Sequence, residues 1–301
     1  MIETSTTPRP FGTLAPAMIT PFTADGEVDY KRAAALANKL VDDGCDGILV
    51  TGTTGETSTL TDEENLGMFS AVLDAVGDRA NVYAGTGTND TRHSVSLSKR
   101  AAALGVHGLM LVTPYYNKPS QAGIQAHFEA IADSNELPVM LYDIPGRAGV
   151  AIATETIIKL ADHPRIVALK DAKADFSETT RVLANTDLDV YSGDDGLTLP
   201  LMAAGAVGLF SVTANVAAAP FRALVDAAAA GDFAAARRIH FELDPLVRAT
   251  MTRVQGAVAV KQILKWQGVL SSSVVRRPLA EPGEAEIALI KADLAEAGLE
   301  L

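Results

Sequence analysis

The stretch Ile166-Val167-Ala168-Leu169-Lys170-Asp171 places four apolar residues directly before a lysine and an aspartate. A short apolar run without alternating polar residues is typical of a parallel strand that is buried on both faces. Similar runs recur along the chain, most of them bounded by Gly, Pro, Asp or Asn. They lie at residues 15–19, 47–50, 82–84, 108–112, 139–142, 188–191 and 207–210. The sequence therefore predicts eight buried strands.

Helical patterns fill most of the intervals between these runs, at a spacing of about 20 to 35 residues per strand-plus-helix unit. Helices are predicted at residues 29–41, 120–132, 174–184 and 220–230, and another begins at a capping-box pattern at 61–64. Eight such units predict an α/β fold of the (β/α)8 TIM-barrel type. An open doubly wound sheet shows the same alternation. The count of eight and the lack of a Gly-x-Gly-x-x-Gly fingerprint favour the barrel.

The pattern changes after residue 231, where strands no longer separate the helices. Helical patterns at 233–243, 245–266 and 284–297 follow one another directly. We expect three parts: an N-terminal extension at 1–11, a barrel catalytic domain at 12–231 and a C-terminal helical domain at 232–301.

Composition excludes several classes of protein. Of the 301 residues, 48% are hydrophobic and 21% are charged, which excludes bulk disorder. The net charge of −12 argues against nucleic acid and anionic membranes as main partners. Cys45 is the single cysteine, so no intrachain disulfide can form, and a reducing cytoplasm is the expected location.

Two segments need a decision about membranes. The first ten residues lack an apolar segment, so we expect no signal peptide. Residues 196–221 carry no charge, but proline and glycine interrupt them and much of the remainder is alanine. Since a spanning helix needs about 20 strongly apolar residues, we predict a buried helix, a core strand and the start of another helix.

Lys170 is distinguished from the other nine lysines by its position. It directly follows a buried apolar strand, and the carboxyl ends of barrel strands face the active site. Desolvation lowers the pKa of an amine, and a neutral amine can attack a carbonyl to form a Schiff base. An ion pair with Asp143 or Asp171 is the alternative. Helical patterns contain Lys31, Lys39, Lys99, Lys159, Lys261, Lys265 and Lys291, where a solvated face is the default, and Lys118 and Lys173 lie in predicted loops.

Further polar residues follow other strand ends. Tyr142 could pass protons to a Schiff base through another hydroxyl, or it could simply be a strand aromatic. Arg147, in the loop after that strand, could clamp a carboxylate or be solvated. The Thr-Thr-Gly segment at 53–55 offers hydroxyl and N–H groups to a small anion, or it forms a plain turn.

Metal and hydrolase sites are not indicated. Asp194 and Asp195 lack the further oxygen ligands of a cation site, so a helix N-cap is the better interpretation. The five histidines are scattered without zinc-ligand spacing. There is no Gly-x-Ser-x-Gly segment, and Cys45 falls in a predicted turn, so a serine or cysteine hydrolase is disfavoured.

Taken together, the short motifs have a specific order and spacing. They are Gly-Thr-Thr-Gly-Glu at 52–56, Pro-Tyr-Tyr-Asn-Lys-Pro at 114–119, Tyr-Asp-Ile-Pro-Gly-Arg at 142–147, Lys-Asp-Ala at 170–172, Ser-Gly-Asp-Asp at 192–195 and Ser-Val-Thr-Ala-Asn at 211–215. This set resembles the dihydrodipicolinate synthase family, also called 4-hydroxy-tetrahydrodipicolinate synthase. The resemblance runs from about residue 12 to residue 299.

The resemblance implies a cytoplasmic, Schiff-base-forming lyase of lysine and diaminopimelate biosynthesis, with pyruvate and L-aspartate 4-semialdehyde as substrates. It implies a homotetramer, a dimer of dimers, in which Tyr116 enters the neighbouring active site. No cofactor and no metal are expected, because the Schiff base supplies the electron sink. The implied catalytic residues are Lys170, Tyr142, Thr53 and Tyr116, and the implied substrate-binding residues are Thr54, Arg147 and the backbones of Gly193 and Phe210.

Two other functions remain open. Related enzymes of the superfamily cleave sialic acid or keto-deoxy sugar acids by the same Schiff base, so a retro-aldolase is the first alternative. A non-catalytic pyruvate-binding barrel is the second.

Feedback inhibition is a separate question. The resemblance implies that lysine-sensitive members carry histidines at the positions of Asp62 and Asn65 and a glutamate at that of His93. Because none of the three matches, although Asn89 and Tyr115 are retained, we expect weak or absent inhibition by L-lysine.

Overall fold

The structure is a computed structural model that describes residues 9–299. The expected lack of a signal peptide concerns residues that lie mostly outside this range. The strands are β1 (Leu14–Pro16), β2 (Gly47–Val50), β3 (Asn81–Gly85), β4 (Gly108–Val112), β5 (Val139–Asp143), β6 (Ile166–Asp171), β7 (Asp189–Ser192) and β8 (Gly208–Ser211).

Twelve α-helices are described between residues 9 and 299. They are α1 (Tyr30–Asp42), α2 (Asp62–Val76), α3 (Thr91–Leu104), α4 (Gln121–Ala132), α5 (Pro145–Ala148), α6 (Thr154–Leu160), α7 (Phe176–Asn185), α8 (Thr198–Ala204), α9 (Ala214–Ala229), α10 (Phe233–Met251), α11 (Gly256–Trp266) and α12 (Glu284–Glu296).

The eight strands form one parallel sheet in the order β1-β8-β7-β6-β5-β4-β3-β2. The two ends of this order meet just beyond β1. There Ala17 bridges to Leu49, and the Met18 N–H donates to the Leu49 carbonyl at 2.9 Å. The sheet therefore closes, which confirms the (β/α)8 barrel and excludes the open doubly wound sheet.

Aromatic rings fill part of the barrel interior. Phe11, Tyr83, Tyr191 and Phe210 are all buried there. The Phe11 and Tyr83 ring centroids are 4.9 Å apart, and those of Tyr191 and Phe210 are 5.2 Å apart in an edge-to-face arrangement. A second, larger cluster lies between the strands and the surrounding helices. Both faces of the strands are thus buried, as their continuous apolar runs predict.

Local capping signals mark several helix starts correctly. The Thr61 hydroxyl accepts from the Glu64 N–H at 3.2 Å, and the Glu64 carboxylate accepts from the Thr61 N–H at 2.8 Å, which confirms the capping box of α2. Asp29 caps α1 and Ser120 caps α4. Each of these side chains satisfies an N–H group that the helix leaves unpaired.

The uncharged segment at 196–221 is divided between α8, β8 and the start of α9, as predicted. Within residues 9–299 no helix is both long and apolar enough to cross a membrane. One boundary was wrong: the helix predicted from Pro220 begins at Ala214, and non-helical backbone at Ala217 kinks it before the proline.

The C-terminal helices differ from expectation at Pro245. We predicted a break there, but α10 continues through the proline to Met251. A proline removes one helical hydrogen bond, and burial of Pro245 and Leu246 accompanies the continuous helix. The break comes instead at residues 252–255, where the Gln255 side chain caps α11. The division of the chain into domains at 12–231 and 232–301 stays a prediction.

Lys261 corrects a second expectation. A helical pattern suggested a solvated side chain, yet Lys261 is 0% exposed. The reason is that α11 is buried on every side, from Gly256 to Leu264. Because residues 256–264 have no face towards solvent, the Lys261 amine cannot reach water. The sequence alone does not reveal that other elements cover every side of this helix.

Candidate active site

The register of β5 and β6 brings two predicted residues side by side. Tyr142 pairs with Lys170 and Asp143 pairs with Asp171 at the carboxyl ends of these strands. The Lys170 Nζ lies 4.2 Å from the centroid of the Tyr142 ring and 6.0 Å from that of Phe210. An amine held over aromatic faces has lost most of its water.

The Lys170 amine is buried without a carboxylate partner. The residue is 3% exposed, and among residues 9–299 no carboxylate oxygen lies within 4.0 Å of its Nζ. Desolvation lowers its pKa from 10.5 to about 8; Asp195 opposes this lowering and Arg147 adds to it. A substantial fraction of the amine is therefore neutral near physiological pH, which is the state that attacks a carbonyl.

The ion pair that the sequence left open is absent from the described residues, because both candidate aspartates are otherwise engaged. The Asp143 carboxylate lies 3.4 Å from the Lys173 amine and accepts from the Ile152 N–H at 3.1 Å. Asp171 accepts from the Thr179 hydroxyl and from the Lys173 N–H at 2.8 Å. Lys173, which the sequence pattern places only in a loop, thus keeps these carboxylates occupied beside Lys170.

Asp143 also shapes the loop that carries Arg147. Desolvation raises the pKa of Asp143 to about 6, although Lys173 and the Ile152 N–H favour its charged form. Because its partner Ile152 lies beyond Arg147 in sequence, the carboxylate connects the end of β5 to the far end of this loop.

Asp195 has a larger role than the sequence suggested. Asp194 is the N-cap, since its side chain accepts from the Gly196 N–H at 2.9 Å. Asp195 is buried and accepts from the Ser211 hydroxyl and from the N–H groups of Val212 and Thr213. Burial raises its pKa, while these donors favour the carboxylate. It joins the ends of β7 and β8, and no periodicity in the sequence signals this.

Gly193 and Phe210 border the lysine from the neighbouring strands. A Cβ atom on Gly193 would lie 3.0 Å from the Lys170 Cγ and 3.0 Å from the Asp171 carbonyl oxygen. Only a glycine leaves this space free, so the lysine stem can lie against the backbone. Phe210 is fully buried at the end of β8.

The loop after β2 holds Thr53 and Thr54 in a short 3-10 helix, Thr53–Gly55. Thr54 is buried and Thr53 is half-buried. Thr51 has a left-handed backbone with φ of 49°, and its buried hydroxyl has no hydrogen-bond partner among the described residues. Non-glycine residues rarely adopt this conformation, and such strain is typical of functional loops.

The predicted tyrosines differ sharply in exposure. Tyr142 is 5% exposed, and desolvation raises its pKa to about 12, so it is a proton donor rather than an anion at neutral pH. Tyr116 is 88% exposed, with a left-handed φ of 74°. Its N–H donates to the Ala148 carbonyl at 3.1 Å, which connects its loop to the Arg147 loop.

A cavity of about 960 Å³ opens at the carboxyl ends of β2 to β5. Its walls include Thr53, Tyr116 and Arg147, together with Ile144, which lies two residues after Tyr142. Tyr142 and Lys170 do not line this cavity but are buried at the adjoining strand ends. The volume is within the range of sites for small molecules.

The positions associated with feedback inhibition have their own partners. His93 Nε2 lies 2.9 Å from Asp62 Oδ1, and Arg100 contacts the same carboxylate at 3.3 Å. Asn65 is buried, donates to the Thr61 carbonyl and lies 3.2 Å from the Thr57 hydroxyl.

No metal centre is formed by the described part of the chain. No group of three or more His, Cys, Asp and Glu side chains between residues 9 and 299 is arranged to hold an ion.

Comparison with known proteins identifies the family. Residues 10–297 match the model of the dihydrodipicolinate synthetase family. The chain belongs to this family. It is 56% identical to a protein of Kineococcus radiotolerans named 4-hydroxy-tetrahydrodipicolinate synthase, over 97% of this chain and 94% of that one.

Two solved structures of the family have the same fold. A dihydrodipicolinate synthase from Cyanidioschyzon merolae with lysine bound is 38% identical, with a TM-score of 0.94 over 97% of this chain and 100% of that one. A chloride-inhibited dihydrodipicolinate synthase from Acinetobacter baumannii complexed with pyruvate is 36% identical, with a TM-score of 0.92 over 96% and 99% of the two chains.

The low pKa of Lys170 predicts unusual reactivity towards acylation. The protein is labelled with a trace of acetic anhydride at a series of pH values, and the labelled peptides are mapped. The acetylation rate of Lys170 should rise about tenfold for each pH unit up to its pKa and stay constant above about pH 8. Exposed Lys31, in α1, is the internal reference for reagent decay. A Lys170 rate that keeps rising towards pH 10.5 would mean that the amine is solvated.

Proposed function

We propose that this enzyme is a 4-hydroxy-tetrahydrodipicolinate synthase that condenses pyruvate with L-aspartate 4-semialdehyde. The observation that carries the proposal is the Lys170 amine, buried and unpaired by any described carboxylate at the end of β6, with a pKa lowered to about 8. An amine in this environment suits attack on a carbonyl rather than a structural ion pair. The family and the cavity beside this strand end support the same assignment.

In the first step, the neutral Lys170 Nζ attacks the C2 carbonyl of pyruvate. The resulting carbinolamine loses water and becomes a protonated Schiff base. Loss of a C3 proton then gives an enamine, with the iminium nitrogen accepting the electron pair. The chain itself supplies the electron sink, so the proposed reaction needs no cofactor and no metal.

Proton transfer in these steps is assigned to Tyr142, Thr53 and the partner subunit's Tyr116. Tyr142 lies against the Lys170 amine and keeps its proton at neutral pH, since its pKa is raised to about 12. A buried phenol can donate to a carbinolamine hydroxyl if another hydroxyl returns the proton. Thr53 lines the cavity that adjoins this pair, which supports its place in the relay. The exposed side chain of Tyr116 is available to enter the site of a neighbouring subunit.

The remaining predicted residues are assigned to the substrate carboxylates. Thr54, in the middle of the Thr53–Gly55 3-10 helix, would bind the pyruvate carboxylate through its hydroxyl and N–H. Exposed Arg147, in α5, would bind the carboxylate of the semialdehyde at the cavity mouth. The backbones of Gly193 and Phe210 would complete the pocket.

The enamine carbon then attacks the aldehyde of the second substrate. The amine of that substrate displaces Lys170 by transimination, which closes the ring and frees the enzyme. This sequence places the reaction in lysine and diaminopimelate synthesis, for which the cytoplasm is the proposed location.

The proposed assembly is a homotetramer, a dimer of dimers. Its support is the 88% exposure of Tyr116 on a loop with left-handed backbone at the rim of the cavity. An exposed aromatic side chain at the rim of the cavity is available for contact with a partner subunit.

The first prediction of this proposal concerns the covalent adduct of pyruvate. Borohydride reduction in the presence of pyruvate should add a reduced pyruvyl group to Lys170 and leave Lys261 unmodified. Lys261 is the matched control, because its pKa is also lowered to about 8 but it is paired with Glu56. The enzyme should consume pyruvate only when L-aspartate 4-semialdehyde is present. Incubation with sialic acid or keto-deoxy sugar acids should release no pyruvate. An adduct elsewhere, or bound pyruvate without an adduct, would contradict the proposal.

The second prediction tests the shared site. Lys170→Ala and Tyr116→Phe should each be nearly inactive alone. When the two variants are reassembled in equal amounts, about half of the dimers are mixed, and each mixed dimer contains one complete site out of two. The mixture should therefore recover about a quarter of the wild-type activity. A Lys170→Ala/Tyr116→Phe double variant mixed with Tyr116→Phe is the control and should recover none. If the first mixture also stays inactive after verified subunit exchange, Tyr116 does not act in the neighbouring site.

The third prediction concerns feedback. Asp62 and His93 contact each other, and Asn65 is held by Thr61 and Thr57, so these positions do not offer the groups that lysine-sensitive members use. We expect millimolar L-lysine to leave the rate nearly unchanged in a coupled assay. Half-inhibition at millimolar L-lysine would contradict this.

A further inference from the structure

Lys261 and Glu56 form a buried ion pair between α11 and the loop after β2. Both side chains are essentially unexposed. The Lys261 Nζ donates to the Glu56 carboxylate and, at 3.0 Å, to the Val274 carbonyl. The other Glu56 oxygen accepts from the Arg276 N–H at 2.9 Å. The pair therefore connects the loop to two points of the C-terminal segment that follows α11.

Glu56 sits at the end of the Thr53–Gly55 turn in a conformation that needs support. Its φ of 58° is left-handed, a region unfavourable for a residue with a Cβ atom. Its N–H donates to the Thr53 carbonyl at 3.1 Å, which makes it the C-cap of that turn. A fixed Glu56 thus fixes the turn that carries Thr53 and Thr54.

Arg276 adds a second connection next to the first. Its guanidinium donates to the Thr59 carbonyl at 2.9 Å and to the Glu64 carboxylate at 2.6 and 2.8 Å. Its Cζ lies 4.6 Å from the Phe22 ring centroid, and the Lys261 amine lies 3.8 Å from the same centroid. The C-terminal segment therefore contacts the middle of the loop between β2 and α2 at Glu56 and its far end at Thr59, and it also pairs with Glu64 in α2.

A gain in folding stability is a weak explanation for the buried Lys261–Glu56 ion pair. Desolvation of two charges costs about as much as their attraction returns, and well-packed apolar residues often stabilise a protein equally well. In some proteins a buried polar or ionic group fixes the relative geometry of the elements that it joins.

We propose that Glu56 and Lys261 are positioning residues, through which the C-terminal helical segment sets the geometry of Thr53 and Thr54. The inference rests on the proposed function, because it assigns the loop to pyruvate binding and proton relay. Neither residue touches a reacting atom, so their effect on catalysis is exerted through the loop.

The test is the double variant Glu56→Gln/Lys261→Met. It removes both charges together, so no unpaired buried charge remains, and the amide oxygen of the introduced glutamine can still accept from the Arg276 N–H. We expect the KM for pyruvate to rise and kcat to fall, lowering kcat/KM for pyruvate by about 10- to 100-fold. The KM for L-aspartate 4-semialdehyde should stay within about twofold, since Arg147 lies on another loop.

Asp293→Asn is the matched control. Asp293 is also buried in the C-terminal segment and pairs with Arg253 at 2.7 Å and Arg248 at 3.3 Å, but these contacts lie within that segment. This variant should lower the melting temperature without changing either KM or kcat, when both variants are assayed well below their melting temperatures.

Three outcomes separate the possibilities. A selective loss in kcat/KM for pyruvate, with Lys170 still trapped by borohydride at high pyruvate, supports the inference. A folded double variant with wild-type constants for both substrates overturns it and leaves the proposed function intact. A wild-type enzyme that forms no adduct overturns the proposed function and the inference together. If the double variant does not fold, Glu56→Gln alone is measured by the same criteria, because desolvation already lowers the pKa of Lys261 to about 8 and the amine can be buried uncharged.

Discussion

Burial of one amine without a carboxylate partner is the constraint on which the rest of the site depends. The lowering of the Lys170 pKa from 10.5 to about 8 corresponds to about 3 kcal/mol in favour of the neutral form. A barrel achieves this because β6 is covered on both faces, and the lysine occupies the point where the strand ends. Any neighbouring carboxylate that reached the amine would restore its charge. The surroundings of Lys170 are consequently organised to hold such carboxylates in other contacts.

Several described contacts serve that purpose. Lys173 occupies Asp143 and, through its backbone, Asp171. Asp195 accepts hydrogen bonds from the N–H groups of Val212 and Thr213, just after β8. Its charge acts on the Lys170 amine only at longer range. Gly193 removes a side chain from the space that the lysine stem needs. The side chains of Lys173, Asp143, Asp171 and Asp195 touch no substrate in the proposed mechanism, yet the properties of the lysine follow from them.

The sequence predicts those parts of the structure that depend on local pattern. Apolar runs locate the strands, Thr61 and Asp29 mark helix starts, and Lys170 follows from its place after a buried strand. When a side chain is buried by residues that are distant in the chain, the local sequence contains no pattern that predicts it. Lys261 has the spacing of a surface lysine but is enclosed by the packing around α11, and α10 continues through Pro245. The partners of Glu56 and Asp195 likewise leave no local pattern, because they are distant from these residues in the chain.

The most direct test of the central claim is a crystal structure of the enzyme soaked with pyruvate at about pH 8. The account predicts continuous electron density from the Lys170 Nζ to C2 of pyruvate, with the pyruvate carboxylate at the Thr53–Gly55 turn. Ordered pyruvate bound without a covalent link, or linked to a different lysine, would contradict the claim that desolvation of Lys170 is the basis of this site.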